Sequence, residues 1–373
     1  MYDESLLDGT SGFDPDSCAW GDCWWWEAAG VCRTADQPRT DERPSESAAD
    51  GEPIVVALHR IWVGESLPPG AAEELEPWQA LGFDLDGVCT NPVGCAADPV
   101  DAVSCTNAGG IVADGALCRD NALGRIFFGA GATPLGTQFG VNEDKLNCGL
   151  RSGSFSLLFR ISGYDGDGDD SNVRLDVYPA HEVDPPLPYD CSASNWAAQI
   201  TWDANYTWKV DEASLETQGA PEGPSTINDP AAYVKNEYLV AHLLDPTTLP
   251  LRGGDTSFYP GLSLTLYQGV VAGRLVRTAE GLWSVADGMI AGRVRRDDLI
   301  ASVEDAGFCE TTAAGDYTAF TQSVDESLDV LANGSNAETA PCDALSIGIR
   351  FQAEQAKVGA AVALAPLTAC PTN

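Results

Sequence analysis

The residues of this chain best suited to chemistry are aspartates set close together. In "SGYDGDGDDSNVRLDVYPA", residues 162 to 180, Asp165, Asp167, Asp169 and Asp170 fall within six positions, and Asp176 follows inside an alternating apolar run. Carboxylates this close repel one another unless a cation or bulk water screens them. One reading is a D-x-D-x-D calcium turn with Asp165, Asp167 and Asp169 as ligands, since alternate positions in a tight turn converge. Asp176 joins them if the second strand bends inward. The other reading is a solvated hairpin turn in which Asp and Gly act as turn formers. A true EF-hand does not fit, because Asp170 stands where that loop needs Gly and the flanks read as strands. Of the two readings the plain turn is preferred.

A second acidic spot joins "GFDLDGVCT" (82 to 90), with Asp84 and Asp86, to "DGALCRDNALGRIFFG" (114 to 129), with Asp114, Asp120 and Asn121. Disulfides among Cys89, Cys95, Cys105 and Cys118 would bring these groups together. Asp84, Asp86, Asp120 and Asn121 then form either a structural Ca²⁺ site or a set of side-chain caps on tight turns.

Catalytic motifs are absent from the sequence. There is no G-x-S-x-G and no H-E-x-x-H. "GAGATPLG" (129 to 136) lacks both the third Gly of a dinucleotide fingerprint and the Lys of a P-loop. His59, His181 and His242 stand isolated. A glycosidase needs two carboxylates about 5 to 10 Å apart, but among 56 acidic residues some pair always qualifies. A secreted glycoside hydrolase is therefore carried only as an alternative to a non-catalytic protein.

The elements that must position these groups are bounded by composition. The chain has 373 residues, 44% of them hydrophobic, with ten Trp and a formal charge of −36. That is enough apolar matter for a packed core, and the charge opposes binding to nucleic acid or anionic lipid. Twelve cysteines run along the chain with no CxxC pair and three histidines, so disulfides in an oxidising compartment are expected. No run approaches ~18 apolar residues, so no spanning segment is expected. Met1 is followed at once by Tyr-Asp-Glu-Ser, with no basic or apolar leader. It reads as a start placed on a mature form, which leaves room for a lipid anchor upstream of Met1.

Residues 1–52 are expected to be a cysteine- and tryptophan-containing N-terminal segment with a flexible acidic linker. Its "CAWGDCWWWEAAGVC" reads as a disulfide-pinned plug, or else as a sticky aromatic patch. Residues 53–373 are expected to be a β-rich domain, with a sub-boundary near 150 between a Cys-rich loop module and a β-sandwich. Strand candidates include "PIVVALHRIWVG", "GSFSLLFRISGY" and "NVRLDVYPAHEV", where Val173, Leu175 and Val177 alternate onto one face. The acidic stretch 164 to 172 should join the last two as a hairpin. "VVAGRLVR" and "MIAGRVRR", 19 residues apart, fit neighbouring strands of a meander. Helix candidates are "AAEELEPWQALG", "RRDDLIASVEDAG" and "DYTAFTQSVDESLDVLANG". The expected fold is mainly β, an antiparallel β-sandwich or jelly roll with a few short helices and several disulfides.

Gly82-Phe83-Asp84-Leu85-Asp86, Cys89-Thr90, Asp120-Asn121 with Leu123-Gly124, the strand Phe155 to Tyr164, and Pro341-Cys342-Asp343-Ala344-Leu345-Ser346 resemble a family of cysteine-containing secreted or lipid-anchored proteins. That family is found in myxobacteria and related Gram-negative predators. The resemblance covers roughly residues 82 to 360 and implies an exported, envelope-associated protein. It supplies no catalytic residue, and the missing lipobox cysteine leaves the anchor without support.

The expected role is thus a non-catalytic extracytoplasmic protein, secreted, periplasmic or at the outer surface, that binds a protein or an envelope component. A carbohydrate-binding β-sandwich, stacking sugars on Trp196, Trp202 or Trp208 with or without Ca²⁺, is the alternative. At least four disulfides should form. Alkylation without reductant, read by intact mass, should label no more than four of the twelve cysteines; twelve labels would contradict an oxidising compartment.

Overall fold

The computed structural model describes residues 35–45, 47, 51–91, 103–128, 142–166, 168–184, 191, 202–251, 261–364 and 370. Among these residues eleven strands run in chain order: β1 Ile54–Trp62, β2 Ser156–Ser162, β3 Asp170–Asp184, β4 Thr207–Asp211, β5 Asn228–Lys235, β6 Tyr238–His242, β7 Thr247–Leu251, β8 Leu262–Arg277, β9 Trp283–Arg295, β10 Ala344–Gln355 and β11 Lys357–Val362. Among the described residues the α-helices are α1 Ala122–Phe128, α2 Glu143–Ser152, α3 Arg296–Asp305 and α4 Glu310–Ser327.

Eight strands close on themselves in the order β5-β3-β2-β1-β10-β9-β8-β6, with β6 returning to β5, and every pair in the ring is antiparallel. The expected sandwich or jelly roll is therefore corrected to a closed barrel. Alternating strands read alike in both architectures; pairing of β3 with β5, far apart in sequence, is what removes the free edges.

One face of each ring strand feeds a single apolar cluster. It includes Val56, Phe159, Leu175, Val234, Leu239, Val271, Ile290 and Ile347, and the helical residues Leu150, Leu299 and Phe320 extend it. This is the barrel interior. Phe351 fills it against Phe159, their ring centroids 5.3 Å apart. A Cβ on Gly288 would stand 2.4 Å from the Phe351 ring, so only glycine leaves that space.

The hairpin and the meander form as expected. Ser162 pairs with Arg174 across β2 and β3, and Val173, Leu175 and Val177 are buried in the interior. Val271 pairs with Ile290 across β8 and β9. α3 lies where its two leading Asp predicted it. α4 starts earlier than expected and ends at Ser327, because Val330 turns to bridge Ala344. "AAEELEPWQALG" yields only a short 3₁₀ turn, Pro77–Ala80. α2 was not anticipated, although Asn142 caps it by accepting from the Lys145 N–H at 2.8 Å and Gly153, at φ +81°, ends it.

Residues 35–45, expected as part of a flexible linker, lie on the barrel wall. Asp36 bridges to Asp84, and the Tyr233 hydroxyl donates to the Arg39 carbonyl at 2.7 Å. The short polar segment gains its order from barrel groups in need of partners, a cause invisible in its own composition. The tryptophan-rich stretch before it lies outside the described residues. Disulfides join Cys89–Cys118, Cys105–Cys342, Cys148–Cys191 and Cys309–Cys370; Cys18, Cys23, Cys32 and Cys95 fall outside the described residues. Among the described residues no helix is long and apolar enough to cross a membrane.

β3 has 15 residues and, with β2 on one edge, serves two neighbours along the other. Its first part pairs with β5 up to Asp176↔Asn228, and its last part pairs with β4 from Ala180↔Val210. Beyond the ring, β11 pairs in parallel with β4. Asp176, fully buried, sits at the parting of the two. Its carboxylate accepts from Arg160 Nη2 at 2.8 Å, from Arg174 Nε at 3.0 Å and Nη2 at 2.8 Å, and from the Ser225 N–H at 3.0 Å. Removing one partner of such a buried ion pair leaves uncompensated charge. Asp176→Ala should lower unfolding free energy by about 3 kcal/mol in urea titration; a loss under about 1 kcal/mol, the range of exposed pairs, would contradict this role.

Candidate functional site

Two places gather chemistry. The first is a groove along the β10–β11 junction. Its wider part, about 1060 Å³, is lined by Ile54, Arg160, Tyr164, Asp165, Glu222, Arg277, Trp283, Gln355 and Lys357 among others. A second part of about 520 Å³, lined by Trp202, Asp203, Asn205, Tyr206, Leu282, Gln355 and Lys357, shares the last two residues with the first.

Gln355, the last residue of β10, organises both parts. Its side-chain oxygen accepts from the Trp283 N–H at 2.8 Å, and its carbonyl accepts from Trp202 Nε1 at 3.0 Å. Trp283 is half-buried, with Tyr164 at 6.1 Å between ring centroids and the Arg277 guanidinium 4.8 Å over its ring. Trp202 is half-buried, resting on Trp208 at 6.0 Å and Tyr206 at 6.1 Å. These are rigid aromatic surfaces with polar neighbours. Asn205, through its Oδ1, accepts from Lys357 Nζ at 2.8 Å.

The second place is an acid cluster under the 82–91 loop. The loop is held at both ends. Gly82, at φ +96°, lies so close to β10 that a Cβ on Gly348 would stand 2.3 Å from its Cα, and the Cys89–Cys118 bond ties the far end. Phe83 and Leu85 cover the outer face of the barrel over Tyr233, Val240 and Met289.

Between them, Asp84, Asp86 and Asp120 place one carboxylate oxygen each within 4.8 Å of the others. Each carboxylate uses an oxygen on a backbone N–H: Asp84 on Gly87 at 2.6 Å, Asp86 on Val88 at 2.8 Å and Asp120 on Leu85 at 2.7 Å. Asp114 accepts from the Thr90 N–H at 2.6 Å, and Asp329 from the Ser346 N–H at 2.8 Å and the Ser346 hydroxyl. Asp86, Asp114 and Asp329 also line an adjoining cavity of about 160 Å³. The positive group facing the cluster is Arg293, buried, whose guanidinium donates to the Leu85 carbonyl at 2.5 Å and to Gln268 Oε1 at 2.8 Å.

Burial drives these carboxyls upward, and repulsion from neighbouring carboxylates adds to it for Asp84, Asp114, Asp120 and Asp329. Asp84 is raised to about 7, by burial first and then by Asp86. Asp114 is raised to about 9 and Asp329 to about 7, both chiefly by burial. Asp86 and Asp120 are raised for the same first reason.

The structure brings Asp84, Asp86 and Asp120 together as expected. Asn121 is turned away from them: its Oδ1 accepts from the Gly348 and Gly124 N–H groups, and its Nδ2 donates to the Trp78 carbonyl at 3.1 Å. In the hairpin, Asp169 accepts from the Asn236 N–H at 2.6 Å, Asp165 lines the groove, and Asp176 is held by Arg160 and Arg174. Asp167 lies outside the described residues, and among those described no group of three metal-binding side chains includes Asp165, Asp169 or Asp176.

Of the tryptophans expected to stack sugars, Trp202 faces the groove, Trp208 is fully buried beneath it, and Trp196 lies outside the described residues. Trp283 and Asp329 were missed. Trp283 opens a strand after a turn, and Asp329 lies in what reads as the end of a helix. The Cys89 and Cys118 sulfurs lie near Asp84 but bind each other, so they offer no thiolate.

Comparison of the chain with protein-family models, with curated proteins and with solved structures finds no match.

The carboxyl shifts set a pH dependence for the protein in EDTA. An unfolded carboxyl titrates near 4, so the folded chain keeps protons that the unfolded chain has released. Stability contributed in this way is present on the acid side and is lost as pH rises through about 7 to 9. His59, lowered to about 3 by burial, gives the opposite slope below its unfolded value of 6.5, so the clear window lies above neutrality. The melting temperature in EDTA should fall between pH 7 and pH 8.5; a flat or rising profile would contradict the burial of these acids.

Proposed function

We propose that this chain is a non-catalytic extracytoplasmic binding protein and that the β10–β11 groove takes a neutral oligosaccharide. The observation that carries the reading is the lining itself. Trp283 and Trp202 are half-buried platforms fixed by the same residue, Gln355, and they are ringed by side chains of both charges. A sugar ring presents C–H faces, which stack on aromatic surfaces, and hydroxyls, which both donate and accept. Rigid aromatics beside Arg277, Asn205, Gln355, Lys357 and Asp203 meet both needs, and a large, concave, mostly preformed cleft is where ligands bind.

Charge decides against an acidic ligand. Arg160, Arg277 and Lys357 are matched in the two parts of the groove by Glu52, Asp165, Glu222 and Asp203, on a chain of net charge −36. A polyanion would be repelled from the approach. The four disulfides suggest an oxidising compartment outside the cytoplasm. The resemblance to envelope-associated proteins supports the same placement and makes an envelope or extracellular glycan the natural occupant.

Calorimetric titration with soluble gluco-, manno-, galacto- and N-acetylglucosamine oligomers tests the reading. At least one neutral series should bind. Trp283→Ala should weaken it at least tenfold, the effect expected of losing about 1.4 kcal/mol or more of stacking. Asn205→Ala, at an exposed position, should weaken it severalfold without touching the fold. Binding only of acidic glycans, or release of shortened sugars, would overturn the ligand class or the non-catalytic reading respectively.

A further inference from the structure

We infer that Asp84, Asp86 and Asp120 hold a divalent cation, calcium, which staples the disulfide-tied loop 82–91 to the barrel wall. The site is separate from the oligosaccharide groove and does not rest on that reading.

Geometry comes first. Calcium takes carboxylate oxygens at 2.3–2.6 Å, so ligands on opposite sides of one ion lie about 5 Å apart. The three oxygens all fall within 4.8 Å of one another. One oxygen of each carboxylate is already held by a backbone N–H, at Gly87, Val88 and Leu85, which fixes how the groups point. Such prior orientation reduces what ordering must cost on binding.

A second observation points to a ligand. Asp84 is only 4% exposed, and its Oδ2 takes no N–H or hydroxyl hydrogen bond, its carboxyl facing that of Asp86 on this side. Buried polar atoms are nearly always satisfied, and an orphan calls for an ion or water beside it. With the neighbouring oxygens of Asp86 and Asp120 in reach, a bound cation satisfies Oδ2 and removes the repulsion at once.

Charge gives the same answer. Asp84, Asp86, Asp114, Asp120 and Asp329 act on one another, while Arg293 is the cation set against them and is already spent on Leu85 and Gln268. The donors are all hard oxygens, and the adjacent cysteines are locked as a disulfide, which selects calcium over thiophilic metals. The adjoining cavity of about 160 Å³, bordered by Asp86, Asp114 and Asp329, has room for the waters that complete six to eight ligands.

The test uses the full chain stripped with EDTA and titrated with CaCl₂ at pH 7.5, followed by calorimetry and by melting temperature. Wild type should bind one Ca²⁺ per chain at this site and melt about 5 °C higher in millimolar Ca²⁺. Asp84→Asn with Asp120→Asn keeps the shape and removes charge. This variant should melt in EDTA no lower than wild type and should lose the Ca²⁺ shift. Asp167→Asn with Asp169→Asn should retain it. No Ca²⁺ binding by wild type would show a cluster held by protons alone and overturn the proposal. So would a shift that survives the Asp84/Asp120 change and disappears with the hairpin change. Sugar titrations on the same samples keep the two readings apart: wild type that binds sugar but no calcium overturns only this one.

Discussion

The barrel depends on what is done with one carboxylate, that of Asp176. β3 must give up one neighbour and take another along its length, and an antiparallel strand that does so leaves polar backbone groups to be satisfied at the parting. Asp176 sits there and gathers Arg160, Arg174 and the Ser225 N–H around itself. Ser225 in turn donates from its hydroxyl to the Val177 carbonyl at 2.6 Å. On one side of the parting β3 closes the ring with β5; on the other it starts the β4–β11 extension. The extension carries Trp208 and Lys357, so the groove exists because the sheet divides. Arg160 belongs to both places, since it binds Asp176, donates to the Glu222 carbonyl at 2.6 Å and lines the groove.

Set beside this, the Asp84 cluster shows how the same residue type behaves when guanidinium groups are scarce. Asp176 is fully buried and is offset by two arginines. Asp84, Asp86 and Asp120 are packed under a loop and face, among the described residues, Arg293, which is already engaged by a carbonyl and an amide. Burial of charge is costly unless it is paired, so the first arrangement is a structural rivet and the second calls for protons or a cation. Disulfides and close glycine contacts hold the second arrangement together against its own repulsion.

Much of this was legible in the sequence because it is local. The alternation of Val173, Leu175 and Val177, the paired Ala-Gly-Arg stretches of β8 and β9, and the leading Asp residues of α3 each depend on neighbours in the chain. The gathering of Asp84 and Asp86 with Asp120 was also legible, because cysteines flank all of them. Closure of the ring was not. It rests on β3 meeting β5, and the filling of its interior on Gly288 yielding space to Phe351, neither of which any periodicity records. The partners of Asp176 were not legible for the same reason: Arg174 is two residues away, but Arg160 and Ser225 arrive from other strands and turns. Trp283 carried no signal beyond its type, and its platform exists only because Gln355 and Tyr164 close on it.

The central claim, that the divided sheet builds a groove for a neutral oligosaccharide, is most directly tested by diffraction from crystals of the full chain grown with the tightest-binding neutral oligomer. The account predicts a sugar ring lying flat on Trp283 or Trp202 with its hydroxyls on Arg277, Asn205 or Gln355. A sugar bound elsewhere on the barrel, with both tryptophans bare, would contradict it.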